Sequence, residues 1–348
     1  MKNTLFILLA TAIILTSLTM VISHIEKDNA HFSPPILIER TSLNEMLITV
    51  KKFPKGQETL KLNILVPKSK HVTVAIKELK LISPKVHFLK GYLPSCFYTY
   101  SIVKIREYKI LSIKLHSIAS IHGEIASVDS MSLVIKWRNP TYSVDAVKYS
   151  PIFENIVKNI VYNPENLYDF YIFQGEEEEK INYIIITDQS LNDTCEIFIQ
   201  HKTVRKNVTA KVYTVQFINS TVDGYDLPER IRNFIKQKYN ESGVEWVLLI
   251  GDNSTVPFRY VLSNETRLPT DYYYAALDGN WDADGDHIYG EPEDEVDWGA
   301  DVFVGRIPLN DVNLVNETLK NIILYEMKTN LTPWMKRILL AGGILRYE

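Results

Sequence analysis

Two cysteines in 348 residues rule out a disulfide framework. Cys96 and Cys195 either pair with each other or remain separate thiols, and neither stands in a Cys/His spacing suited to zinc. The chain also has no glycine-rich phosphate loop and no Gly-x-Ser-x-Gly elbow, which removes P-loop and α/β-hydrolase chemistry. Basic residues are dispersed and the formal net charge is −4, a balance that argues against nucleic acid as a partner. His71, His87, His116 and His122 are scattered over separate strand-like segments, so no metal role is expected for them. Finally, the ten Asn residues before position 192 include no N-x-[ST] acceptor.

The acceptors that do occur crowd the other half. Asn192, Asn207, Asn219, Asn240, Asn253, Asn264, Asn316 and Asn330 each stand in such a site, eight of the thirteen Asn residues of 192–332. Chance predicts about one or two, so an exported, glycosylated surface is expected. The apolar run Leu5–Ile22 behind Lys2 agrees. It has the length of a secretory h-region or of a single span, giving residues 1–24 as a signal peptide or N-terminal anchor. Membrane contact is expected only through that anchor, and the protein is expected to be secreted or held at the cell surface.

Residues 34–148 alternate with a period near two. Leu60, Leu62, Ile64 and Val66 share one face, as do Val72, Val74 and Ile76, and Met131, Leu133, Ile135 and Trp137. Pro67, Pro94 and Pro140 punctuate these runs, which predicts an antiparallel β-sandwich-like domain. Residues 149–181, with Pro151, Pro164 and the run Glu176–Glu179, read as a linker. From 182 to 348 short continuous apolar runs alternate with helical stripes, as in a doubly wound parallel α/β sheet. The runs 183–187, 210–218, 245–251, 300–305 and 337–343 are the predicted strands. A firm helix starts at the capping box Asp226-Leu-Pro-Glu229, carries Ile231, Phe234, Ile235 and Tyr239, and stops at Gly243. Ligands of such sheets bind beyond the carboxyl ends of the strands, here Asp252 and Gly305-Arg306. Asp252 is expected to be a helix cap or turn former rather than a catalytic acid, and Arg306 to pair with an acid of the acidic loop rather than to contact substrate.

Between Asp271 and Asp301 lie eleven carboxylates and no Lys or Arg. Such density calls for a cation. Asp282, Asp284 and Asp286 occupy positions 1, 3 and 5 of a calcium-type loop, the carbonyl of Ile288 falls at 7, and Glu293 at 12. Asp278 and Glu291 complete the expected calcium ligand set. His287 replaces the glycine usual at position 6, so this is no EF-hand, and a solvated acidic loop is the alternative.

The segments "NYIIITDQSL", "LPERIRNFIKQKYNESGVEWVLLIGDNSTVPFRYV", "PTDYYYAALDGNWDADGDHIYGE" and "DVFVGRIPLNDVNLVNETLKNIILYE" resemble, in order and spacing, the gingipain family of cysteine peptidases. Upstream, "KILSIKLHSIASIHGEIASVDSMSLVIKW" is more weakly similar to that family's propeptide-like β domain. The resemblance implies the first half of a caspase-like fold, a polypeptide substrate, calcium binding, and a β domain that masks the site until processing. It also implies a His-Gly motif and a later Cys motif, and neither occurs in 182–348. No catalytic residue is therefore assigned: Cys195 follows the first strand too closely to be the nucleophile. The chain reads as the amino-terminal part of such an enzyme, with the reactive pair beyond Glu348. A non-catalytic surface glycoprotein on the same scaffold is the alternative.

Overall fold

The computed structural model describes residues 36–328, apart from 54–57, 83–92, 123, 176–180, 207 and 264–265, together with Arg337. The predicted signal or anchor, the Glu176–Glu179 run and the predicted strand 337–343, Arg337 excepted, fall outside these residues. Among the described residues no helix is long and apolar enough to cross a membrane.

The period-two segments form strands. The first sheet contains β1 (Ile36–Ser42), β2 (Glu45–Val50), β4 (His71–Ile82), β7 (Ile118–Ile121) and β8 (Glu124–Arg138). Its order is β1-β2-β8-β4, and β7 pairs with β8. The second contains β3 (Thr59–Val66), β5 (Tyr98–Ile105) and β6 (Tyr108–His116) in the order β3-β6-β5. Neighbours within both are antiparallel. Met46, Ile48, Leu133, Ile135 and Trp137 from one sheet share a buried core with Leu62, Ile64, Leu111 and Ile113 from the other. One predicted face ends early: Ile76 is exposed where the β4–β8 register slips.

Residues 143–175 correct the predicted linker. Short strands β9 (Ser143–Asp145) and β10 (Ile172–Gln174) pair in parallel, and between them lie α1 (Pro151–Ile160) and α2 (Leu167–Phe170). Ser150 caps α1, with its hydroxyl accepting from Phe153 N, and Pro151 occupies the first turn. Phe153, Val157, Leu167 and Phe170 then enter the β-unit core. The stripe was too short to stand out against its prolines.

The second unit is a parallel sheet of β11 (Tyr183–Thr187), β12 (Ala210–Thr214), β13 (Trp246–Ile250) and β16 (Phe303–Ile307), ordered β12-β11-β13-β16. Its central strands β11 and β13 are apolar on both faces, as layers on both sides require. Ile184, Ile186, Val247 and Leu249 pack with α4 (Val215–Thr221) and α5 (Leu227–Ser242). Ile185, Leu248 and Ile250 pack with α3 (Glu196–Lys206) and α6 (Val312–Glu326). The predicted strand 210–218 stops at Thr214, because the Thr214 hydroxyl caps α4 by accepting from Phe217 N at 3.2 Å. Asp226 and Gly243 bound α5 as expected, Gly243 at φ 64. A hairpin, β14 (Arg259–Ser263) with β15 (Thr266–Thr270), was not foreseen.

Among the described residues, the contacts between the units gather around the β5–β6 turn. β5 and β6 turn through Arg106-Glu107, and Arg106, at φ 52 and fully buried, enters the α/β unit. Its guanidinium donates to the carbonyls of Lys148 (2.6 Å), Gly243 (2.9 Å), Val244 (3.1 Å) and Asp301 (3.0 Å), and its backbone N–H to Ala300 O (3.0 Å). The rings of Phe153 and Tyr239 lie 5.2 and 4.9 Å from it. Glu107 is clasped by Lys68 at 2.6 Å and the Tyr239 hydroxyl at 2.7 Å. Burial raises the Glu107 pKa, but Lys104 and then Lys68 and the hydroxyl overcome it and hold the value at about 2. Phe303 stacks between Phe153 and Trp246 at 4.6 and 4.4 Å.

Arg106→Met keeps an apolar stem but strands four buried carbonyls. The expected loss is about 3–5 kcal/mol, in the upper tail of point substitutions because a buried network breaks. A fall in the urea midpoint measures it. Lys80→Ala, at an exposed ion pair with Asp129, serves as control and changes stability by no more than about 1 kcal/mol.

Candidate functional site

The sheet order places its switch point between β11 and β13, and the carboxyl ends of these strands open on one rim. After β11, Asp188 Oδ1 accepts from Ser190 N (2.9 Å) and Ser190 Oγ (2.7 Å). After β13, Gly251 takes φ 138, a conformation free to glycine, and any Cβ there would meet Thr255 at 2.9 Å. Asp252 forms the expected turn, accepting from Ser254 N (2.8 Å) and Ser254 Oγ (2.6 Å). The Ser254 side chain and then Asn310 hold its pKa low. At β16, Arg306 makes the expected acid pair, a bidentate one with Asp271 at 2.7 Å on both oxygens, and also donates to the carbonyls of Gly251 and Val256. One guanidinium thus ties two strand ends to the start of the acidic loop.

The contacts that join the two units gather at the opposite end of the sheet, before Trp246 and Phe303. Among the described residues, the contacts with the β unit thus lie away from the rim at Asp188, Asp252 and Arg306.

The acidic loop brings together five carboxylates in two groups that share Asp284. Asp282, Asp284 and Asp294 offer oxygens within 4.8 Å of one another, as do Asp284, Asp286 and Glu291. His287, at position 6, takes φ 65, the left-handed conformation that glycine usually supplies there. Its N–H donates to Asp282 Oδ1 (3.0 Å), its Nδ1 lies 2.9 Å from Asp282 Oδ2, and its ring stacks on Tyr225 at 3.9 Å. Ile288 N donates to Asp286 Oδ1 at 2.7 Å. Burial and the neighbouring Asp286, Glu293 and Asp284 push the Glu291 carboxyl up.

Two of the expected ligands stand elsewhere. Glu293 is exposed and joins neither group; a 3₁₀ turn over Pro292–Asp294 points its neighbour inward instead. Asp294, 3% exposed, accepts from Ala283 N (2.5 Å) and Gly290 N (2.7 Å). Its signal in the sequence was only its place one residue past position 12. Asp278 leaves the ligand set altogether, ion-paired with Lys104 at 2.5 Å.

Neither cysteine is bridged. Cys195 is buried against Leu191 O, and burial pushes its thiol up to about 12, which leaves it protonated at neutral pH. The histidines of the α/β unit are both engaged, His201 with Glu326 at 3.0 Å and His287 with Asp282.

A family model described as peptidase family C25 matches residues 176–346. No curated protein matches the chain. Among solved structures, the complex of Porphyromonas gingivalis RgpB pro- and mature domains is similar at 24% identity and TM-score 0.29, over 41% of this chain and 27% of that one. The Arg-specific cysteine proteinase gingipain R (RgpB) is similar at 24% and 0.29, over 43% and 29%. Dimeric latent PorU from P. gingivalis is similar at 12% and 0.35, over 85% and 37%. The chain thus spans under a third of the RgpB chains it matches.

The thiol environments predict an order of reaction. In the native protein at pH 7.5, iodoacetamide is expected to alkylate the half-exposed Cys96 well before Cys195, and both at similar rates in urea. Peptide mass spectrometry reads the order; faster labelling of Cys195 would reverse the assignment.

Proposed function

From the match of the peptidase family C25 model to residues 176–346, we propose that the chain is the amino-terminal portion of an exported, calcium-stabilised cysteine endopeptidase of gingipain type. The carrying observation is that the family match falls on a doubly wound sheet whose switch-point rim is the end opposite the described contacts with the β unit. In a Cys-His mechanism a thiolate attacks the scissile carbonyl and an imidazole protonates the leaving amine. This chain contributes the floor of such a site: the strand ends fixed by Arg306 and Asp271, with Asp188 and Asp252 on the rim. Its buried Cys195 and its engaged His201 and His287 are poor candidates for the reactive pair, so that pair is assigned outside these 348 residues. The substrate is a polypeptide.

Calcium suits the loop tip because every donor is a hard oxygen, the position-6 turn has the required hand, and the carboxylate oxygens that accept N–H groups keep a further lone pair. Asp282, Asp284, Asp286, Glu291 and Asp294 are the proposed ligands. Export is supported by the acceptor excess, and Asn219, Asn240 and Asn253 are exposed.

Calcium at about 100 times its Kd is expected to add about 2.7 kcal/mol, seen as a rise in Tm that EDTA reverses. Asp284→Asn, which touches both groups, is expected to abolish the rise; a melting point indifferent to calcium sinks the metal assignment. For the peptidase reading, these residues alone should cleave no casein with or without calcium, whereas the gene product extended past Glu348 should cleave it in a thiol-dependent way. Cleavage by this chain that disappears in Cys195→Ala would overturn the assignment of the pair. An inert extended protein would favour the non-catalytic surface glycoprotein.

A further inference from the structure

Beneath the hairpin tip lies a carboxylate that neither the peptidase nor the calcium reading uses. Asp301 is 1% exposed. Its Oδ2 accepts from Leu277 N at 2.8 Å, and its Oδ1 has no hydrogen-bond partner. The strand leading to the tip closes over it: Lys104 O lies where a Cβ on Gly299 would stand (1.4 Å), Arg106 N–H donates to Ala300 O, and the Arg106 guanidinium takes the Asp301 carbonyl. A buried ionised carboxylate with an unsatisfied oxygen is costly, whereas the protonated form removes the charge.

We infer that Asp301 makes docking of the β unit onto the α/β unit proton-dependent, so that the two hold together more tightly in acid than in alkali. The surrounding groups come from every element packed there. The β hairpin brings Lys104, the Arg106 guanidinium and Glu107. The acidic loop brings Asp278 and Asp297, the short turn before it Tyr272, and α5 brings Arg232 and Tyr239. The cations are largely committed: Lys104 to Asp278, Arg106 to four carbonyls, and Arg232 to the carbonyls of Tyr273, Ala276 and Asp278. Two further carboxylates remain as neighbours. Burial first, then Asp278, push the Asp301 pKa up to about 8, against the pull of Lys104. Burial likewise raises Asp297.

The sign follows. A carboxyl whose pKa is raised by docking binds a proton in the docked state and releases it on undocking. Docking is therefore strongest in acid and weakens as pH rises from the undocked value of Asp301 toward its raised docked value, with the opening constant growing by at most about tenfold per pH unit. Above that the dependence levels off. The device stands whether or not the protein is a peptidase, since it uses neither the carboxyl rim nor the proposed calcium ligands.

Hydrogen exchange of the 98–116 hairpin, corrected for intrinsic rates, measures opening between pH 5.5 and 8.5 in wild type and in Asp301→Asn. Asparagine keeps an acceptor for Leu277 N–H and has no charge to lose. The wild type is expected to open more with rising pH, with a log-slope steeper than the variant's by up to about one unit, and the variant to be the better protected at pH 8.5. Equal slopes would overturn the inference. Should Asp301→Asn fail to fold, the wild type alone decides: hairpin protection that does not fall with pH, while strands β1 and β2 serve as internal reference, refutes it.

Discussion

A single buried guanidinium sets the relation between the two halves of this chain. Arg106 reaches across 138 residues to Val244 and 195 residues to Asp301 with neutral carbonyls as acceptors. Burying a cation without partners costs several kcal/mol, and the left-handed backbone of a non-glycine residue adds about 1–2 kcal/mol. Four carbonyl acceptors and two aromatic faces offset both only if all are presented together. That demand fixes the segments 243–244 and 299–301, which lead into β13 and β16. The register of the parallel sheet and the seat of the β unit are thus two aspects of one hydrogen-bond set. Gly243 and Gly299 mark the close approach, since a Cβ on either would collide with a carbonyl of the facing segment.

The same set explains how a segment with eleven carboxylates and no Lys or Arg folds at all. Cations from outside the loop neutralise its trunk. Arg306 takes Asp271, Lys104 takes Asp278, and Arg232 takes three trunk carbonyls. Beyond Gly279 no basic side chain pairs with the described acids of the tip except His287, which reaches Asp282. The remaining repulsion is concentrated at Asp284, Asp286, Glu291 and Asp294. The proposed ligands cluster at the tip, where protein cations do not reach, and Asp278, paired with Lys104, does not join them.

Local signals in the sequence were legible because local forces decide them. The buried faces of β3 and β8, the helix cap at Asp226, the stop at Gly243 and the two-faced central strands of the parallel sheet stood as read, while Glu229 of the expected capping box accepts from Tyr225 N instead of Asp226 N. Readings that depend on a competing cap failed: Thr214 ends a strand that hydrophobicity alone extended to 218, and Ser150 starts a helix inside what composition presented as a linker. Position counting placed Glu293 at the twelfth loop site, but a proline-led 3₁₀ turn brought Asp294 in. Arg106 was not readable at all. Nothing within its own strand distinguishes it from a solvated hairpin-tip arginine, because its partners are defined only by the fold of the other unit.

Separating the two ends of the sheet has a consequence for how such a scaffold works. In a parallel sheet the carboxyl ends carry the ligand-facing loops, and changes there need not disturb the core. Here the amino ends carry the interunit seat, with Phe303 sandwiched between Phe153 and Trp246, while Arg306 three residues later in the same strand organises the rim. β16 is therefore the mechanical link between them. A shift of the seat along β16 by one residue would reverse which face Arg306 presents, since side chains alternate. Rim geometry is accordingly coupled to docking through strand register, with no covering of the rim by the β unit required.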